Sequence, residues 1–211
     1  MRLLFFDGAS KCHQDIDGNI YTGANLADDI IRRYRRYCDE LAVMLIEDSR
    51  RYSGSETVYD CNVVDPSLAE IISVPDLYNP RRNFLSLSVR KKIIDVMTEE
   101  ILRADRVIIR APGRFYTNAA IRLCRKYRRP YLIEAVDFVF EFLIHSRLKK
   151  IFAPYCELMC RREIAQAPYV VYVTQKALQK RYPSSGKTLG CSDIELPESM
   201  FVSRIVGGGK E

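Results

Sequence analysis

Apolar runs alternate with helix-like periods along the whole chain. Uninterrupted apolar runs of this length are typical of strands buried on both faces. They fall at residues 3–6, 41–47, 106–111, 131–135 and 169–174, with weaker candidates at 57–64 and within 187–196. Apolar residues spaced by three and four predict helices at about 24–38, 89–103, 118–127, 138–166 and 175–182. Much of 48–88 shows no regular pattern.

This alternation predicts one α/β domain with a Rossmann-like parallel sheet and helices on both faces. Ligands of such sheets bind at the carboxyl ends of the strands. The loops that leave these strands are therefore the candidate binding loops. They are residues 7–23, 111–117, 135–138 and 174–176.

The first of these connections is unusually long. Residues 7–29, DGASKCHQDIDGNIYTGANLADD, separate the first strand from the first helix, where about 2–6 residues are usual. Gly23 is predicted just before that helix, where a glycine lets the backbone approach a ligand and free amides favour an anion. Most single glycines in such places are turn or cap residues. The chain lacks G-x-G-x-x-G and G-x-x-x-x-G-K-[ST], so a dinucleotide site or an ATP P-loop is not supported.

Charged residues follow two of the later strands. Glu134 and Asp137 stand in EAVDF, where a carboxylate can take a proton from a hydroxyl or hold sugar hydroxyls. Asp137 can equally cap a helix that begins at Phe138. Arg110 and Arg114 flank a Pro-Gly turn and are candidates either for phosphate binding or for ordinary surface charge. Thr117 is predicted as the cap of the helix that follows.

The charge balance favours an anionic partner. The chain has 33 basic and 27 acidic residues and a net charge of +6, with arginines clustered in pairs. Each cluster alone is a solvated helix face, but together they suit a phosphate-bearing ligand or a membrane surface. No nucleic-acid-binding motif accompanies them, so nucleic acid is not expected. No apolar run reaches the roughly 18–20 residues of a membrane span, so membrane contact would be peripheral.

The stretch 145–162 combines basic and apolar residues and is one candidate for such contact. Its apolar residues are expected to pack on the sheet, which leaves the basic face for lipid.

Seven cysteines are spread along the chain without a C-x-x-C pair, and no secretory leader is evident. Both features predict reduced thiols in a cytoplasmic protein. Cys156 and Cys160 share a helix face, and packing is favoured there over metal binding, since the two histidines stand far away in sequence.

Four motifs in order carry a family resemblance: FAPY (152–155), APYVVYVT (167–174), LQKRYP (178–183) and GCSDIEL (190–196). With RPYLIEAVDFVFEF before them, they resemble the amino-terminal domain of bacterial family 4 glycosyltransferases, enzymes of the GT-B fold that build capsular and other surface polysaccharides. The resemblance covers residues 129–196, and residues 1–128 match only in layout.

The resemblance implies two Rossmann-like domains across a cleft, with acceptor on the first and nucleotide-sugar on the second. It implies a retaining transfer to a glycan or lipid-linked acceptor, without a metal or a cofactor beyond the nucleotide-sugar. Gly23 then approaches the donor phosphates and Asp137 is the catalytic candidate. Acceptor contacts are expected from the surrounding residues Tyr21, Asn25, Arg114 and Glu134.

The same resemblance places the domain at 1–203 and the start of a linker at 204–211, as in a fragment of a longer enzyme that is inactive alone. A cytoplasmic enzyme is expected, with peripheral contact at the inner membrane face as an option. A non-enzymatic module that binds phosphate-bearing ligands or lipid is the alternative. A sugar-nucleotide epimerase shares the fold argument but not the motifs.

Overall fold

The computed structural model describes residues 1–15, 18–23, 26, 28–48, 61–111, 114–138, 151 and 153–191. The described strands are β1 Arg2–Gln14, β2 Ile20–Gly23, β3 Glu40–Glu47, β4 Cys61–Val63, β5 Glu70–Val74, β6 Arg106–Ala111, β7 Tyr131–Ala135, β8 Tyr169–Tyr172 and β9 Lys187–Gly190. The helices are α1 Asp28–Arg35, α2 Leu87–Arg103, α3 Arg114–Lys126, α4 Ala153–Ala165 and α5 Ala177–Arg181. A 3-10 helix, Arg81–Leu85, precedes α2.

The described strands form one twisted, mainly parallel sheet. Its parallel part runs in the order β5-β3-β1-β6-β7-β8-β9, while β2 pairs antiparallel with the end of β1 and β4 antiparallel with β2. From β1 the chain builds outward to β3 and β5, and α2 then returns it to β6. The strand order therefore reverses between β1 and β6, which is where open α/β sheets bind ligands.

Helices cover both faces of this sheet, which confirms the predicted fold class. On one face, Ile31 and Tyr34 of α1 pack on Leu3, Phe5 and other residues of β1 and β3. On the opposite face, α2 and α3 pack on Leu4, Phe6 and other residues of the central strands, together with residues from α4 and α5. The continuous apolar runs of the central strands follow from this coverage, since neither face meets water.

The predicted polar loop after the first strand is wrong in part, because most of it is β-structure. β1 continues to Gln14 through an irregularity between Phe6 and Lys11, and β2 returns as a hairpin partner. The Asp7 carboxylate accepts hydrogen bonds from the backbone of Ala9 and Ser10 and so stabilises the irregular step. Polar residues are tolerated because this extension lies at the sheet's end rather than between two covered faces.

Three local expectations also need correction. Helix α1 begins at Asp28 instead of Ala24, so Gly23 ends a strand and does not start a helix. Thr117 lies inside α3, and its hydroxyl donates to the Arg110 carbonyl 3.2 Å away instead of capping the helix. Strand β5 was not expected, because its partly exposed residues make no continuous apolar run.

The apolar residues of α4 and the nearby Ile151 are not all packed on the sheet, contrary to expectation. Ile151, Tyr155 and Leu158 are exposed, whereas α4 buries Glu157 and the small Ala153 among its inward residues. The buried face of α4 holds Glu157, which pairs with Arg181, and these larger apolar side chains lie on the exposed face. Residues 139–150, Phe152 and the predicted boundary at 203 lie outside the described residues.

Candidate functional site

A buried polar network lies at the carboxyl ends of the three central strands. Strand register aligns Asp7 of β1 with Arg110 of β6, and Arg110 with Glu134 of β7. Arg110 Nε donates to Glu134 Oε2 at 3.0 Å, and its Nη1 lies 3.5 Å from Asp7 Oδ2. The Arg110 guanidinium carbon lies over the Phe5 ring, 5.2 Å from its centroid. The guanidinium is therefore held on three sides.

Tyr34 of α1 closes the network from above the sheet: its hydroxyl lies 2.8 Å from both carboxylate oxygens of Glu134. Arg33 Nη2 donates to the same hydroxyl at 3.3 Å. Two cations and two carboxylates thus share one partly buried cluster.

The electrostatics of this cluster follow from burial and pairing. Burial alone would lower the pKa of Arg110, but the attraction of Glu134 and Asp7 outweighs it and the pKa is raised. Burial, followed by the nearby Glu134 charge, raises the pKa of Tyr34. Arg110 therefore stays charged and Tyr34 stays a hydrogen-bond donor at neutral pH.

A second set of ion pairs lies at the same edge, on strands β1, β3 and β5. Lys11 Nζ lies 2.8 Å from Asp76 Oδ2, just beyond β5, and Asp76 is buried. His13 Nδ1 lies 3.5 Å from Asp48 Oδ2, just beyond β3. These pairs join the extension of β1 to the segments that follow β3 and β5.

The predicted residues after β7 have different surroundings. Glu134 is buried, and its carboxylate contacts Arg110 and Tyr34. Asp137 is exposed two residues beyond β7, and its Oδ1 accepts from the backbone N–H of Phe138 at 2.7 Å. A helix cap would accept from the second or third residue after Asp137, and those residues lie outside the described part of the chain, so the cap stays a prediction.

The predicted residues of the hairpin lie on the same side of β1 as β6, because Cys12 pairs with β3 on one side and with β2 on the other. A Cβ added at Gly23 would meet no atom within 4 Å, so its backbone borders open space. The Tyr21 hydroxyl donates to Asp15 Oδ2 at 3.0 Å. Strand β2 lies beyond the carboxyl end of β6, and β7 is the next strand along the sheet. Gly23 and Asp137 therefore border different parts of one edge.

Two further predicted residues cannot be compared in the same way. Asn25 lies outside the described residues, and Arg114 is described only as the first residue of α3.

Sequence reasoning named Arg110 and Glu134 as separate candidates and missed Asp7, Tyr34 and the two ion pairs of Lys11 and His13. The sequence did contain a signal that Arg110 and Glu134 are neighbours. Arg110 and Glu134 are each the last residue but one of consecutive parallel strands, so equal register makes them neighbours. No comparable signal joins Tyr34, 100 residues away, to Glu134.

Two cavities in the described part of the chain lie away from this network. One of about 270 Å³ is lined by Arg2, Arg35 and neighbours, and one of about 450 Å³ lies between the β2 hairpin and β5. Neither is lined by a predicted site residue. Within the described ranges, no three His, Cys, Asp or Glu side chains are grouped as a metal site requires, and no helix is long and apolar enough to cross a bilayer.

Comparison with known proteins supports the fold and gives one sequence relative. No family model matches the sequence. The chain is 32% identical over 120 residues to the Staphylococcus aureus protein CapJ, an alignment that covers 56% of this chain and 30% of CapJ. The chain therefore corresponds to less than a third of that relative.

Two solved structures resemble it at low sequence identity. Sucrose-phosphate synthase from Thermosynechococcus elongatus matches with a TM-score of 0.50 and 12% identity, over 91% of this chain and 48% of that protein. A Listeria monocytogenes protein assigned as a UDP-N-acetylglucosamine 2-epimerase matches with a TM-score of 0.43 and 8% identity, over 85% and 41% of the two chains. The first likeness supports a GT-B-like α/β fold, and the second is too distant to argue from.

Proposed function

We propose that this chain is the acceptor-side domain of a retaining family 4 glycosyltransferase. The whole enzyme would transfer a sugar from a nucleotide-sugar to a glycan or lipid-linked acceptor during surface polysaccharide synthesis. The observation that carries the proposal is the carboxyl edge of the sheet, where Gly23 borders open space and the exposed Asp137 follows β7. The motifs at 152–196 and the CapJ match support the same class.

Each predicted residue has a role in this proposal. Gly23 lets the donor phosphates approach the backbone, since any side chain there would project into the open space. Asp137 receives or orients the acceptor hydroxyl. Tyr21, Asn25 and Arg114 contribute to acceptor binding, and Glu134 acts there by holding Arg110 at the edge. The enzyme would act in the cytoplasm at the inner membrane face.

Replacing Gly23 by valine in the complete protein tests the phosphate approach. We expect sugar transfer to fall at least about tenfold, because the side chain blocks the backbone from the donor. The melting temperature should stay unchanged, because the new Cβ meets nothing within 4 Å. Transfer is measured by product formation from a panel of nucleotide-sugars, with thermal unfolding of both proteins alongside.

Gly8→Val is the matched control. Its Cβ would lie 3.1 Å from Thr117 Oγ1 and from Tyr116 Cβ, so this variant should lose stability along with any activity. Wild-type transfer rates in Gly23→Val would rule out the phosphate role. A complete protein that transfers no sugar, with any donor of the panel, would favour the binding-module alternative.

A further inference from the structure

An exposed apolar and basic surface lies where α2 begins. It comprises residues 81–92, RRNFLSLSVRKK, which we call the α2 patch. The patch follows β5, whose carboxyl end lies at the same edge of the sheet as the candidate site. It therefore lies on the side where an acceptor would bind.

Large apolar side chains project from this patch into solvent. Leu85 is 82% exposed, Leu87 81% and Phe84 48%. Three neighbouring apolar residues exposed to this degree are unusual on a soluble surface and mark an interaction site.

The charge of the patch has one sign. Residues 81–92 contain five cations, Arg81, Arg82, Arg90, Lys91 and Lys92, and no carboxylate. Lys91 pairs with Asp95, but within the described residues Arg81, Arg82 and Lys92 form no ion pair. These cations are therefore available to an anionic partner.

Internal contacts hold the patch in this form. Arg90 donates to the Phe84 carbonyl from Nε at 3.1 Å and from Nη2 at 2.6 Å, and its guanidinium lies over the Phe84 and Phe115 rings. Asn83 Nδ2 donates to the Asp76 carbonyl at 2.8 Å. The exposed leucines thus stand on a fixed turn.

We propose that the α2 patch docks this protein on an anionic membrane surface. Leu85 and Leu87 enter the boundary between headgroups and acyl chains, and Arg81, Arg82 and Lys92 meet lipid phosphates. An apolar tip surrounded by cations suits a bilayer, in which both kinds of partner lie within a few ångströms. The choice of a membrane rests on the proposed function, since a lipid-linked acceptor would then be presented at the edge of the sheet.

Vesicle binding by the complete protein tests this surface. We expect sedimentation with vesicles that contain phosphatidylglycerol, weak binding to pure phosphatidylcholine vesicles, and at least about tenfold weaker binding by the L85S/L87S variant. The control, Y155S/L158S, removes another exposed apolar pair, each residue 64% exposed, from α4 and should bind as the wild type does.

Equal binding by L85S/L87S and wild type would overturn the proposal, as would a complete protein that ignores anionic vesicles because another segment covers the patch. Loss of binding in Y155S/L158S alone would assign the contact to α4 instead. Sugar transfer to a water-soluble acceptor separates the two proposals. A complete protein that transfers no sugar to it refutes the proposed enzyme activity, whereas vesicle binding tests only the α2 patch.

Discussion

Arg110 illustrates how single residues acquire their role from neighbours distant in sequence. The sequence marked it as a phosphate candidate, yet its guanidinium contacts Glu134 and Asp7 and lies over the Phe5 ring. Buried ion pairs of this kind are costly to break, because the remaining charge loses its partner without regaining water. We therefore assign Arg110 and Glu134 a positioning role at the ends of β6 and β7.

Replacing Glu134 by glutamine should destabilise the fold by roughly 1–3 kcal/mol, because Arg110 keeps only the more distant Asp7 as a charged partner. The free energy of unfolding in urea measures this change. Lys91→Ala, which removes an exposed pair with Asp95, should leave stability unchanged. Equal stability of Glu134→Gln and wild type would show that the pair does not hold the strands.

At the scale of elements, the motifs that carry the family resemblance contact one another. Glu157 of α4 accepts from Arg181 Nε at 2.6 Å and from the Tyr182 hydroxyl at 2.8 Å. The Tyr172 hydroxyl of β8 donates to the Tyr182 carbonyl at 2.6 Å. The RYP part of LQKRYP therefore joins α5 to α4 and β8, which is a structural role.

Tyr182→Phe removes one of these bonds and leaves the buried Glu157 with Arg181 and the more distant Arg161. We expect a loss of about 1–2 kcal/mol in the free energy of unfolding, measured by urea denaturation. Tyr169→Phe is the control, because Tyr169 is 47% exposed on the neighbouring strand. The structural role would be refuted if both variants unfolded at the same urea concentration as the wild type.

At the scale of the whole molecule, buried thiols link stability to pH. Burial raises the pKa of Cys12 to about 11, with Glu47 adding to the effect, and burial raises that of Cys124 to about 12. Thiols in the unfolded chain titrate near 8.5, as model peptides do. Between these values the unfolded state releases protons that the folded state keeps, so stability falls as pH rises.

We expect the free energy of unfolding to be about 2–4 kcal/mol lower at pH 10 than at pH 8 from these two thiols. Urea denaturation at both pH values measures the difference. A Cys12→Ala/Cys124→Ala variant should lose this contribution and keep that of Cys160, whose pKa burial also raises to about 12, whereas Cys191→Ala, at an exposed position, should keep all of it. An unchanged dependence in the double variant would contradict the assignment to these thiols.

Local patterns were sufficient for the central fold. Strands β6 and β7 begin and end where their apolar runs do, because strands covered on both faces leave a continuous apolar trace. Strand β5 and the hairpin were not predicted, because partly exposed strands have no continuous run of apolar residues.

The sequence by itself determined the α/β class and the edge at which ligands would bind, since both follow from the order and periodicity of apolar residues. Only the tertiary structure decided that Asp7, Arg110 and Glu134 form one network, that Gly23 borders open space, and that Leu85 and Leu87 are exposed. These features depend on strand register and on contacts between distant segments, which no local pattern records.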